Sequence, residues 1–552
     1  MKPLKGPSRW PTLQQAVLAV LAGGAQAASM AWPGSDQIPT VAWLGLRHGQ
    51  PVWWLQLLAV GLLAWQLKGS HSWQLAARCS WLFGTAWLAG TFGWTFVALH
   101  TYGDLPFVLA ILAVLALAGL LALFYALAGG LFVALAPVGR AWSALVFAAL
   151  WLLAELGRGT LLTGFGWGAS GYAHVDGPLA GYAPWFGVYG LCAITAWLAM
   201  ALVQLLQVGR EMSANRRSTG LALALMVLGL LALPYLPPAQ RTDMTQSSGN
   251  LSVTLLQGNI PQNEKFETST GVPLALQWYA EQLQASRTSL VIAPETAVPV
   301  LPQQLPPNYW EALQQRFGDG QQAALIGTPL GSYQQGYTNS VVGLKASEAP
   351  PWRYAKRHLV PFGEFIPPFF KWFTAMMNIP LGDFNRGDLR QPPFEWQGQR
   401  VAANICYEDL FGEELAAQFK DPERVPTLFV NISNLAWFGD TLAIDQHLQI
   451  ARMRALEFER AFVLATNTGA TAIVDHRARI TASLARNTRG TLVGSVEGRT
   501  GVTPYAWWVE RFGLWPMWLL AFGLIALALR ASLKNRQAHN LALHQAGSSE
   551  AP

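Results

Sequence analysis

Cys406 is the residue with the most chemistry to offer. It ends the apolar run VAANI (401–405) and opens the polar cluster Tyr407-Glu408-Asp409. A buried strand that ends in a turn holds a side chain rigidly at a sheet edge, within reach of a substrate. Three other stretches also take an apolar run into charged residues. SLVIAPETAVP places Glu295 after a strand and a proline, and YAKRHLVPFGEFIP carries Lys356 and Glu364 around a proline-bearing turn. The third, Asn431–Asp440, follows another strand. A free cysteine usually behaves as a small buried hydrophobe, so the set matters more than the thiol alone. A thiol needs a general base to become a thiolate, a role open to Glu295. A nearby ammonium favours the thiolate and stabilises an oxyanion, a role open to Lys356. For a Cys–His pair the nearest histidines are His358 and His447, and neither has an obvious position. Cys79 and Cys192 lie in apolar stretches, and three dispersed cysteines make neither a disulfide framework nor a zinc site. No metal or organic cofactor is implied.

Elements that could position this set fall into two kinds. The 552 residues are 52% apolar and 12% charged, the latter about half of the roughly 25% usual for a soluble domain. That points to a membrane protein with a water-soluble part. A net charge of +6 without a long basic run gives no support to nucleic-acid binding. Apolar stretches at about 11–32, 52–67, 76–99, 105–135, 141–156, 184–206 and 219–235 read as seven transmembrane helices, with an eighth at 513–529. The stretch 105–135 is overlong and is expected to tilt, to kink at Gly129-Gly130 or to extend into water. Lys68, Arg78, Arg140, Arg210, Arg216 and Arg217 fall in alternate connections, which places the N-terminus in the cytoplasm and the chain outside after the seventh span.

From about 237 to 511 the apolar runs shorten (251–256, 289–292, 323–326, 401–405, 427–430, 462–465, 470–474) and helical segments such as 274–285 and 446–460 intervene. This alternation predicts an α/β domain with a largely internal sheet. The expected organisation is a membrane domain over 1–236, an extracytoplasmic domain over 237–511, a last span over 512–533 and a disordered cytoplasmic tail over 534–552. Between Phe365 and Phe384 lies an apolar stretch with Phe369, Phe370, Trp372, Phe373, Met376 and Met377, a candidate lid.

The Glu–Lys–Cys order, with PE at the first site, Lys356 ahead of HLVPFGEFIP and C-Y-E at the third, resembles the nitrilase superfamily. With seven spans before the domain and one after, the resemblance narrows to the apolipoprotein N-acyltransferase family. LQGNIPQ (256–262), AWFG (436–439), ARMRALEFER (451–460), TNTG (466–469) and TPY (503–505) carry it further. It implies an αββα sandwich with Glu295 as general base, Lys356 as stabiliser of the intermediate and Cys406 as nucleophile. Glu364 and Glu408 are implied as supporting carboxylates, and Tyr407, Trp437 and Phe266 as substrate-binding residues. In the membrane part, Glu155–Gly159 (ELGRG) and Thr163–Trp167 (TGFGW) match a family motif, read either as a helix end with its loop or as a lipid contact. Leu435 stands where the family carries an aspartate, Ala461 and Leu464 replace a proline and an arginine, and Phe266 stands about where a tryptophan is common. None of these touches the Glu–Lys–Cys set; they bear on the acceptor side and the acyl pocket.

The implied reaction is ping-pong transfer of an sn-1 acyl chain from a phospholipid, phosphatidylethanolamine as the expected donor, through a Cys406 thioester. The acceptor is the α-amine of the diacylglyceryl-cysteine of apolipoproteins, in the bacterial inner membrane with the catalytic domain on the periplasmic side. The alternative is a membrane-anchored nitrilase-type amidase that passes its acyl group to water. A transporter or ligand-binding scaffold is disfavoured, because the apolar spans carry few charges beyond Glu155 and Arg158.

Overall fold

The computed structural model describes residues 8–34, 44–137, 140–208, 214–232, 243–346, 350–366 and 384–548. Between Gln246 and Thr500, twelve strands form two six-stranded sheets. One has the order β12-β1-β2-β3-β4-β5, built from β1 (Gln246–Gln257), β2 (Leu290–Ile292), β3 (Ala323–Ser332), β4 (Gly336–Leu344), β5 (Trp352–Ala355) and β12 (Gly490–Thr500). The other has the order β11-β10-β9-β8-β7-β6, built from β6 (Phe394–Trp396), β7 (Gln399–Ile405), β8 (Leu428–Ser433), β9 (Ala461–Thr466), β10 (Ala472–Val474) and β11 (Ile480–Ser483).

Alternation along the strands sets the layers. Every second residue points inward: Val253, Leu255, Leu290, Ile292 and Leu325 meet Val401, Ala403, Val430, Ile432 and Val463 in one core between the sheets. The intervening residues Val291, Ala324 and Ile326 face the helices Gly271–Ala285 and Tyr309–Phe317. On the other side Ala402, Phe429, Phe462 and Leu464 face Leu442–Phe458 and Pro504–Phe512. The result is the expected helix–sheet–sheet–helix sandwich. Within each sheet the central pairs β1–β2, β2–β3, β7–β8 and β8–β9 are parallel, so connections collect beyond the carboxyl ends of β2, β7 and β8. Crevices at such ends are where α/β sheets place ligands.

Among the described residues four helices are long and apolar enough to cross a bilayer: Phe107–Leu135, Ala141–Thr163, Ala180–Gln207 and Trp515–Asn535. A fifth is available if the pair Trp73–Thr91 and Thr95–Tyr102, bent by 65°, counts as one span. The stretch expected as a single span over 76–99 is thus broken. Leu13–Met30, Trp53–Lys68 and Ala214–Ala232 are also helical and apolar. Phe107–Leu135 is interrupted at Ala122, not at Gly129-Gly130. Those glycines let Trp73–Thr91 approach: a Cβ on Gly129 would collide with Ser80 Oγ. The C-terminal segment read as disordered from 534 is helical as far as Ser548, continuous with the last apolar helix. The middle of the candidate lid, 367–383, lies outside the described residues.

The helix Leu442–Phe458 is buried on two sides. Ala451, Ala455 and Phe458 pack on the second sheet, while Ala443, Ile450 and Met453 join the core of the membrane helices. A 3.6-residue period places these two stripes on different faces. One helix therefore fixes the sandwich against the bundle.

Candidate active site

Cys406 follows β7 directly and adopts φ +52°. A left-handed conformation in a non-glycine residue costs about 1–3 kcal/mol and persists only where its surroundings impose it. Here Ile405 amide nitrogen donates to Glu408 Oε2 (2.7 Å), and Asn431 Nδ2 donates to the Cys406 carbonyl (2.9 Å). The sharp turn lifts the half-buried thiol out of the sheet. Burial pushes the thiol pKa up; the carboxylates of Glu295 and Glu364 add to that, and the ammonium of Lys356 opposes it. The resting thiol is therefore protonated, and a base must act before it can attack.

Glu295 follows β2 through Ala293-Pro294. Its Oε1 accepts from Asn339 Nδ2 (2.6 Å) and lies 3.5 Å from Lys356 Nζ; its Oε2 accepts from the Asn434 amide (2.9 Å). Lys356, just past β5, is almost fully buried and donates to Glu364 Oε1 at 2.9 Å. Burial alone would depress its pKa, but the flanking Glu364 and Glu295 carboxylates outweigh it and hold the ammonium charged. Glu364 Oε1 also accepts from Asn339 Nδ2 (2.9 Å), and its Oε2 from the Val360 amide (2.9 Å). One asparagine amide thus spaces two carboxylates around one ammonium. The four residues Glu295, Lys356, Glu364 and Cys406 come together at the ends of strands from both sheets, an arrangement that could present a thiol, a carboxylate and a cation to one carbonyl.

Glu408 is buried and accepts from the amides of Arg357 (2.6 Å), His358 (3.0 Å) and Ile405 (2.7 Å) and from Tyr354 hydroxyl (2.8 Å). It ties the Lys356 loop to the Cys406 turn. Burial raises its pKa to about 7 against the opposing pull of Lys356 and the donating amides. Neither histidine forms a pair with the thiol: His358 Nδ1 lies 2.9 Å from Glu414, and His447 Nε2 lies 3.1 Å from Asp409 Oδ2 and 3.5 Å from the Cys406 carbonyl.

The expected substrate-binding residues separate. Tyr407 hydroxyl donates to Gly164 O (3.1 Å), and Trp437 packs edge-on against Tyr102 of the bent helix (5.6 Å between centroids), so both stand at the seam with the membrane part. Phe266 is 47% exposed on another loop. The ELGRG–TGFGW motif is a helix end with its loop. Arg158 pairs with Glu155 (2.8 Å) and donates to the Phe165 and Trp167 carbonyls (2.7 Å each), and the loop so held meets Tyr407. Leu435 is buried; Ala461 and Leu464 are strand residues in the two cores.

Asn339, Lys265 and Gln446 join these contacts although little in their sequence surroundings marks them out. Asn339 sits in the strand segment GYTNSVVGL with no charge beside it to draw the eye. Lys265 follows the matched LQGNIPQ segment closely, and that proximity was the available signal. Among the described residues no cluster of three or more His, Cys, Asp or Glu side chains is placed to hold a metal ion.

Residues 252–505 match the Carbon-nitrogen hydrolase family, and residues 40–201 match the Apolipoprotein N-acyltransferase N-terminal domain. A protein of Verminephrobacter eiseniae named apolipoprotein N-acyltransferase is 54% identical over 94% of this chain and 97% of its own length. The chain belongs to the apolipoprotein N-acyltransferase family. A relative of the same name from Ralstonia nicotianae is 44% identical over 90% of this chain and 93% of its own length. Among solved structures, a Saccharomyces cerevisiae member of branch 10 of the nitrilase superfamily aligns with a TM-score of 0.33 at 14% identity, covering 46% of this chain and 92% of that one. The family's enzymatic class is acyl transfer, and the sandwich described above is its carbon-nitrogen hydrolase domain.

Proposed function

We propose that this chain transfers an sn-1 acyl chain from a phospholipid, phosphatidylethanolamine foremost, through a Cys406 thioester to the α-amine of the diacylglyceryl-cysteine of apolipoproteins. The observation that carries the reading is a cysteine in a strained left-handed turn beside Glu295, Lys356 and Glu364 while the next residue, Tyr407, is hydrogen-bonded into the membrane part. An enzyme whose substrates arrive from a bilayer needs such a contact; a membrane-anchored amidase would share it, so the acceptor separates the two readings.

In the first half-reaction Glu295 takes the Cys406 proton and the sulfur attacks the ester carbonyl. Lys356 stabilises the oxyanion, and the C–O bond breaks as Glu295 returns the proton to the departing lysophospholipid. In the second half-reaction Glu295 takes a proton from the acceptor amine as its nitrogen attacks the thioester. The C–S bond breaks and the proton reaches the sulfur. Amide formation from a thioester is downhill, so the second step completes the transfer. Glu364 holds Lys356, and Glu408 holds the two loops in register. Tyr407 and Trp437, at the seam, are the acyl-path residues of this reading, while Phe266 stands apart on another loop. In this reading the chain is an inner-membrane protein of eight spans, with the sandwich between the seventh and eighth on the periplasmic side; the alternating basic connections support that orientation.

The test is the intact mass of purified protein incubated with phosphatidylethanolamine and no acceptor, beside Cys406→Ala. An added acyl mass that neutral hydroxylamine removes, absent from the variant, is the expected result. A folded wild type that gains no mass yet hydrolyses a small amide would overturn the transferase reading in favour of the amidase.

A further inference from the structure

Lys265 is a second buried lysine at the same site. Its side chain is 1% exposed, and its ammonium donates to the main-chain oxygen of Glu295 at 3.0 Å. It reaches there from the loop after β1, which has hydrogen bonds of its own and a further one to the residue that holds Glu295. Asn467 Nδ2 donates to the Ile260 carbonyl (2.9 Å), and the Lys265 amide donates to the Pro261 carbonyl (2.9 Å). Asn434, whose amide holds Glu295 Oε2, uses its side chain to hold Gln262 Oε1 (2.8 Å). The loop and the base are thus part of one hydrogen-bonded frame.

Charge counting gives this lysine a task. Lys356 is shared between Glu364 at 2.9 Å and Glu295 at 3.5 Å, so those three side chains together carry one uncompensated negative charge in a buried place. Leaving a buried charge unpaired is costly. Lys265 brings the set to neutrality. Burial lowers its pKa to about 8, and the groups on other elements that oppose this and favour the charged form are Glu295 and Cys406. Lys356 and Glu364 stand beyond Glu295, and on its own loop Glu264 is half-buried and Glu267 exposed.

We propose that Lys265 is the second cation of the acyl-transfer site, a positioning residue that holds the Glu295 main chain and balances the negative charge as it passes from the Glu295 carboxylate to the Cys406 sulfur. When the S–H bond breaks and the proton moves to Glu295, the number of charges is unchanged and only the place of the negative one shifts. A cation held at the Glu295 main chain, within electrostatic reach of both groups, lowers the cost of that shift without touching substrate. Lys356, committed to Glu364, is left to meet the oxyanion. This assignment rests on the thioester reading above.

The experiment is the rate of acyl-enzyme formation with phosphatidylethanolamine, followed by intact mass across about pH 5–9 for the full-length wild type, Lys265→Met and Lys265→Arg. Loss of the cation makes every negative charge in the site harder to hold. The expected result for Lys265→Met is a rate about tenfold lower at neutral pH, with the acid limb of the profile moved up by about one pH unit. Lys265→Arg is expected to restore the limb toward its wild-type position. A uniform loss at every pH, or an unchanged profile, would overturn the proposal. Where Lys265→Met fails to fold, Lys265→Gln stands in for it with the same expectations. A wild type that forms no thioester defeats the thioester reading itself, whereas an active wild type with an unshifted variant defeats only the role of Lys265.

Discussion

Trp167 of the membrane part and Gln446 of the sandwich share a 2.7 Å hydrogen bond from indole Nε1 to Oε1. Trp94, at the break in the bent helix, donates to the same oxygen at 3.0 Å, and Gln446 Nε2 donates to the Thr91 carbonyl at 3.0 Å. A single amide therefore meets both membrane segments that border the seam near the thiol. In Gln446→Leu, two indole N–H groups and one carbonyl lose their partner in a buried place, at about 1–3 kcal/mol for each group left unsatisfied. The expected outcome is a melting temperature lower by several degrees together with slower acyl-enzyme formation. A variant that melts with the wild type would show that water or another group replaces the amide.

Asn339 supports a sharper expectation, because its one amide nitrogen serves Glu295 and Glu364 together. Asn339→Asp keeps the shape and replaces the shared donor by a third carboxylate. Acyl-enzyme formation is expected to fall about a hundredfold, the scale on which a preorganised donor matters in a buried site. Single-turnover rates measure it directly. A rate within a few-fold of wild type would mean that the two carboxylates do not depend on Asn339 for their spacing.

Legibility of these features in the sequence followed one rule. Cys406, Glu295, Lys356 and Glu364 each follow an apolar run or rigid turn, so their types and placement were readable and the structure brings them together. The sandwich was readable for the strongly apolar strands β1, β2, β3, β7, β8, β9 and β10. Strands β4 and β12 were not, since GYTNSVVGL and GTLVGSVEGRT interrupt their apolar residues with glycine and polar ones; β12 is partly exposed, and β4 is buried from Asn339 to Leu344 despite that composition. Asn339 and Gln446 are neutral amides whose value lies wholly in who meets them across the fold. The helical tail to Ser548 was missed because its polar composition hides a helix that simply continues an apolar one.

Glu408 sets a pH dependence. All four of its described bonds have the carboxylate accepting, so protonation would place a donor against an N–H or O–H and loosen the link between the Lys356 loop and the Cys406 turn. Its pKa is raised to about 7, so the ionised, acceptor-only form prevails above that value and is lost as the pH falls through it. Transfer is therefore expected to decline below about pH 7 in the wild type. Glu408→Gln cannot ionise and is expected to be slow throughout, with that decline removed. An identical pH profile in a folded Glu408→Gln protein would assign the decline to another group.

Glu155 and Arg158 offer the last test, within the membrane part. Both are fully buried and paired at 2.8 Å; Arg158 also holds the Phe165 and Trp167 carbonyls, and Glu155 Oε1 accepts from the Ser170 amide (3.1 Å) and hydroxyl (2.7 Å). Removing one partner of such a pair leaves an uncompensated charge, at about 3–5 kcal/mol, whereas replacing both by neutral groups of similar size is far milder. Arg158→Met is thus expected to reduce folded yield and melting temperature strongly, and Glu155→Gln/Arg158→Met to recover much of that stability. Activity should not recover with it. The double variant still lacks the guanidinium that holds the 161–167 loop where Gly164 meets Tyr407, next to the thiol. A double variant both stable and fully active would show that the pair serves the fold of the bundle alone and that the loop holds its place without it.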